Sequence, residues 1–70
     1  MLSKVVGMAA DTSELSSLAD MLEQVTRRIT AMAEESQRQK DEGVAKELFA
    51  VERGLFGAHR RIVRLLGAKR

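Results

Sequence analysis

Two stretches decide the fold of this chain: Leu15–Met32, LSSLADMLEQVTRRITAM, and Val44–Leu65, VAKELFAVERGLFGAHRRIVRL. In the first, Leu15, Leu18, Leu22, Val25, Ile29 and Met32 step alternately by three and four positions, and in the second Val44, Leu48, Val51, Leu55, Ala58, Ile62 and Leu65 do the same. That spacing lines side chains along one stripe of an α-helix. The ladders also match each other in reverse. A chain reversal between Lys40 and Val44 brings to one height residues whose numbers total 83 or 84, giving layers Met32/Val51, Ile29/Leu55, Val25/Ala58, Leu22/Ile62 and Leu18/Leu65. The sequence therefore predicts an all-α antiparallel hairpin. Helix 1 is expected from about Thr12 to about Lys40, and helix 2 from about Val44 to about Leu66. The competing solution is one continuous helix in a long parallel coiled coil, with Glu42 and Lys46 pairing across the break; the constant totals and Gly43 favour the hairpin.

Boundary signals agree with this division. Asp11 and Glu14 have the spacing of a capping box, with Glu14 well placed against the helix dipole. Asp41, Glu42 and Gly43 form the expected turn, with Gly43 taking the positive φ that closes helix 1, and Gly67 is the expected stop of helix 2. Glu23 with Arg27 and Glu34 with Arg38 are four-residue ion pairs in the better orientation. Residues 1–10 (MLSKVVGMAA) are apolar without a period and are treated as an N-terminal arm; residues 11–70 form the single hairpin domain.

Composition narrows the class. Seventy residues make one domain at most, and a core of that size supplies only a few kcal/mol without a staple. There is no cysteine for a disulfide, and one histidine. Oligomerisation is then the usual route to stability, so a homodimer is expected. The absence of proline, tryptophan and tyrosine and the 31% of charged residues favour helix over sheet. The longest near-apolar run, Val5 to Ala10, is too short to span a bilayer, and a cytoplasmic location is expected.

Helix 2 carries more apolar surface than one neighbour covers. Beside its ladder runs a second stripe, Ala45, Phe49, Phe56, Val63 and Leu66, interrupted by Glu52 and His59. An arc this wide calls for another helix. A second copy of the hairpin, completing an antiparallel four-helix bundle, is the simplest source; a docking surface for a different protein, through Phe49, Phe56, Val63 and Leu66, is the other. The ladder residues Leu15, Leu18, Leu22, Val25, Ile29, Met32, Leu48, Val51, Leu55, Ala58, Ile62 and Leu65 are the expected oligomer core. Ala50, Gly54, Gly57 and Ala58 cluster in helix 2, where each glycine costs about 1 kcal/mol relative to alanine. Close approach against Val25 or a local kink offsets that cost in one reading, and a groove for a partner chain in the other. Ala19, Thr26 and Ala33 give helix 1 the same small-residue character. Polar Ser36 and Gln39 opposite Leu48 and Val44 predict a looser, wetter turn end.

Charge is uneven. Residues 1–35 hold three basic and six acidic side chains, whereas residues 36–70 hold nine and four, with none acidic after Glu52. Lys46, Arg53 and Arg60 recur every seven residues away from the core, with Arg64 one turn on, and the register brings Arg27 and Arg28 level with Phe56 and Gly57. Such a face suits phosphates or an acidic protein. The arginines have no interleaved aromatics, which argues against base stacking. The stretch from Arg53 also has the make-up of a basic amphipathic membrane-surface helix, but its apolar side is already the ladder, so no membrane role is expected.

Chemistry-bearing motifs are missing. His59 lies among Leu55, Phe56, Ile62 and Val63, with Phe56 and not glutamate three residues before it, so the bundle metal motif is not present. No nucleophile triad or phosphate-cradling glycine loop can be assembled. No cofactor, no metal and no enzymatic activity are expected. The plan, a short hairpin with two heptad ladders, is similar to the ROP class of dimeric RNA-binding hairpins, a likeness of architecture that implies nucleic-acid binding as the alternative to a protein-binding adaptor or regulator.

Overall fold

The computed structural model describes residues 12–68. Two helices of equal length, α1 (Thr12–Arg38) and α2 (Glu42–Ala68), pack against each other as a hairpin. Each is about 40 Å long at the standard helical rise. The N-terminal arm, and Asp11 of the expected capping box, lie outside the described residues.

The turn corrects the expected boundaries. Helix 1 ends at Arg38, two residues before Lys40; helix 2 begins at Glu42 rather than Val44 and continues through Gly67 to Ala68. Lys40, with φ of 65°, occupies the left-handed conformation expected of Gly43. The Asp41 N–H donates to the Ser36 carbonyl at 2.9 Å and the Lys40 N–H to the Gln37 carbonyl at 3.0 Å. These two bonds are the Schellman closure, which satisfies the last carbonyls of α1. Asp41 then opens α2: its carboxylate accepts the Val44 N–H at 3.3 Å, and its carbonyl accepts the Ala45 N–H at 3.0 Å. An N-cap aspartate two residues before Gly43 draws that glycine into the first helical turn. Its conformational freedom is not used there.

The seam between the helices is rotated from the predicted ladder. Ala19, Thr26 and Ala33 of α1 and Ala45 of α2 are the buried residues, and Leu15, Leu22, Ile29, Leu48, Leu55 and Ile62 are half-buried. Small side chains recurring every seven positions admit the facing helix closely, and the bulkier row beside them is pushed to one side. As a result Leu18, Val25, Met32, Val44, Val51 and Leu65 stay 40–57% exposed. The layers Met32/Val51 and Leu18/Leu65 are therefore not enclosed by the hairpin. The α2 side of the seam is completed by the half-buried row Glu52, His59 and Leu66 with Ala45, which contains the two residues that interrupt the second stripe. The register itself lies close to the predicted one. The Thr30 hydroxyl donates to the Glu52 carboxylate at 2.5 Å, joining positions that total 82.

The hairpin measures 47 × 26 × 14 Å, one helix thick, with a radius of gyration of 15.6 Å, against about 11 Å for a globular chain of this length. No large side chain among the described residues is fully buried. Gly54 and Gly57 do not approach α1: a Cβ built on either meets nothing within 4 Å. The close packing against Val25 is thus absent from the hairpin.

Replacing Lys40 by glycine removes the steric cost of a side chain in the left-handed region and should raise stability by about 0.5–1 kcal/mol. Asp41→Ala deletes the cap and should lower it by about 1 kcal/mol. Urea midpoints of the two variants should move in opposite directions.

Candidate interaction surface

The rotation of the seam sorts the remaining side chains onto two sides of the hairpin. Across α1 the rows run from the seam (Ala19, Thr26, Ala33) through Leu15, Leu22 and Ile29 to Leu18, Val25 and Met32, and end at Met21, Arg28 and Glu35. Across α2 they run from the seam (Ala45, Glu52, His59) through Leu48, Leu55 and Ile62 to Val44, Val51, Ala58 and Leu65, and end at Glu47, Gly54 and Arg61. One side of the hairpin therefore carries both ladders as a continuous apolar face. No charged residue enters its inner rows from Leu15 to Met32 or from Val44 to Leu65. Charges stand only in the flanking rows. The outer rows of this face, Leu18, Val25, Met32, Val44, Val51 and Leu65, are the exposed ones.

On the opposite side a groove of about 600 Å³ opens between the helices, lined on α1 by Glu23, Thr26, Arg27, Thr30 and Glu34 and on α2 by Glu52, Phe56 and His59. Its polar groups are largely satisfied. The Thr26 hydroxyl donates back to the Leu22 carbonyl at 2.6 Å, Thr30 engages Glu52, and Arg27 pairs with Glu23 at 3.6 Å, as its spacing predicts. Phe56 and Val63 are about half exposed, whereas Phe49 and Leu66 are partly covered. The second apolar stripe is thus split, part in the seam and part at the groove. His59 stands half-buried in the seam row, and no three metal-ligating side chains gather anywhere among the described residues.

Lys46, Arg53, Arg60 and Arg64 are all exposed on α2 and make no ion pair among the described residues. Arg27 joins Phe56 in the lining of the groove. Arg28 does not: it flanks the ladder on the other side of the hairpin. The expected joint basic surface of Arg27 and Arg28 with helix 2 is therefore divided.

At the turn end Arg38 pairs with Glu35, three residues away, instead of Glu34. Glu35 accepts from the Arg38 Nε at 3.1 Å and from the Gln39 amide at 2.8 Å. The hydrogen bond from Arg38 and then that from Gln39, reinforced by the guanidinium charge, hold the Glu35 carboxyl below its ordinary 4.5. The same bond pushes the Arg38 guanidinium up.

Sequence reasoning missed the groove and the Thr30–Glu52 pair. The available signal was the heptad spacing of Ala19, Thr26 and Ala33, which marks the closest helix contact. No helix among the described residues is long and apolar enough to cross a membrane. Comparison with known protein families, with curated proteins and with solved structures returned no match.

Thr30→Val removes the donor to Glu52 while preserving shape, and should cost about 1 kcal/mol in urea denaturation. A pH series tests the turn. Because folding lowers the Glu35 pKa, its contribution is complete above the unfolded-state value and is lost as pH falls through the folded one. Glu35→Gln should melt below the native chain at neutral pH and together with it in acid.

Proposed function

We propose that the protein works by association and not by catalysis: two hairpins join through their ladder faces into an antiparallel four-helix bundle, which serves in the cytoplasm as an adaptor or regulator of another protein. The observation that carries this reading is the uncharged face that holds Leu18, Val25, Met32, Val44, Val51 and Leu65 about half exposed on a hairpin one helix thick. A single layer leaves these side chains in water, and a second layer covers them. The oligomer core is then formed jointly. Leu15, Leu22, Ile29, Leu48, Leu55 and Ile62 are shared between seam and bundle interior, and Leu18, Val25, Met32, Val51, Ala58 and Leu65 meet the second copy. The groove with Phe56 and His59 stays on the outside, where a partner protein has access to it.

Light scattering tests the association. The expected mass is that of two chains, unchanged when salt is raised, because the contact is apolar. Val51→Asp places a carboxylate in the covered face without touching the seam, and an unpaired buried charge costs about 3–5 kcal/mol. The variant should be monomeric at concentrations where the parent is dimeric. A dimer that survives Val51→Asp overturns the reading.

A second reading rests on the exposed basic row Lys46, Arg53, Arg60 and Arg64, which suits a phosphate backbone. On that reading the chain retards RNA or DNA in a gel at low salt, the retardation falls steeply as salt rises, and Arg53→Gln, Arg60→Gln and Arg64→Gln together abolish it. Unchanged retardation by the triple variant sinks the idea.

A further inference from the structure

Two glycines in the middle of α2 remain unexplained by the hairpin. Gly54 and Gly57 each weaken the helix relative to alanine, yet a Cβ at either would enter open space. Gly54 belongs to the row that borders the ladder face, Glu47, Gly54 and Arg61, and it sits close to the middle of α2. About Gly54 this row is self-complementary: seven residues before it stands an acid and seven after it a base. Ala50 and Ala58 lie four residues to either side. A helix with this pattern matches a reversed copy of itself.

We infer that the second copy docks with α2 antiparallel to α2 of its twin, the two Gly54 residues meeting on the two-fold axis and Glu47 of each chain pairing with Arg61 of the other. This deepens the dimer reading and rests on it. Two symmetric stackings would cover the ladder face with every neighbouring helix antiparallel, and charge separates them. With both turns at the same end, α1 lies over α2 of the twin. The register, in which level residues total 82, then sets Glu35, already engaged by Arg38, against Glu47. Like charges would face each other twice. With the turns at opposite ends α2 lies over α2, and the same Glu47 meets Arg61, so opposite charges face each other twice. In this second arrangement the ladder also interlocks, with Val51 offset by one residue from Ala58 and Val44 by one residue from Leu65 of the twin. Because Gly54 is near the middle of α2, the hairpins overlap over nearly their whole length. The α1 edge, carrying Met21, Arg28 and Glu35, is bulkier than the α2 edge, so the bundle is narrow at α2 and wide at α1. Arg28 faces its own copy across the wide, solvated edge. The small residues of α2 allow the narrow contact, which gives Gly54 a reason to be glycine.

The chain contains no cysteine, so a single Gly54→Cys reports the axis directly. Under mild oxidation it should form a covalent dimer at least tenfold faster than Lys46→Cys on the outer face. Charge reversal supplies the second arm, read as the dimer dissociation constant by sedimentation. Glu47→Lys and Arg61→Glu should each weaken the dimer about tenfold, two modest surface pairs being lost at once, and the double reversal should return it to within a few-fold of the parent. If the parent is dimeric but Gly54→Cys cross-links no faster than Lys46→Cys, or Glu47→Lys tightens the dimer, the dimer reading stands and this geometry is overturned. The other stacking would produce that tightening by relieving Glu35. A parent that is monomeric throughout overturns both.

Discussion

Two helices make a layer, and a layer one helix thick encloses only the narrow stripe along which they touch. The pattern of burial in this structure follows from that constraint. Here the enclosed stripe is occupied by alanine and threonine, at Ala19, Thr26, Ala33 and Ala45. The leucine, valine and methionine rows stand beside it. They are too bulky for the narrowest part of the seam and too apolar for water, and so they form a face that one hairpin cannot cover. On the proposed dimer, stability and association become a single question.

Much of this was legible in the amino-acid order. The three-and-four steps of Leu15 to Met32 and Val44 to Leu65 give two helices, and the constant totals give an antiparallel register that Thr30 and Glu52 place within one or two residues of expectation. The direction of the seam was not legible from periodicity. Two adjacent rows, one large and apolar and the other small, have the same period, and periodicity does not rank them. Counting apolar residues selects the larger row. Burial selects the smaller one, and Glu52 and His59, which interrupt the second stripe, are half-buried in the same row as Ala45.

The turn departs from the expected one for a related reason. Glycine is the usual occupant of the left-handed position, and Gly43 was available for it. The stronger local preference was that of Asp41 for the position capping α2, which fixes the start of the helix by its own side chain and leaves Lys40 to make the reversal. At Arg38 the choice between Glu34 and Glu35 was likewise decided by geometry at a helix end, where Gln39 joins the same carboxylate.

Lys40 has a wider significance. The link between Arg38 and Glu42 is too short for α1 to reach α2 of a neighbouring chain while the turn stays closed. Exchange of helices between copies would require the backbone at Lys40 to leave the left-handed region and the chain to run on as one rod. That change gives up both carbonyl closures of α1 and the aspartate cap of α2 together. Docking of intact hairpins needs none of it. The backbone angle of one lysine therefore separates two ways of making the four-helix cross-section proposed above, and it favours the one in which each chain keeps both of its own helices.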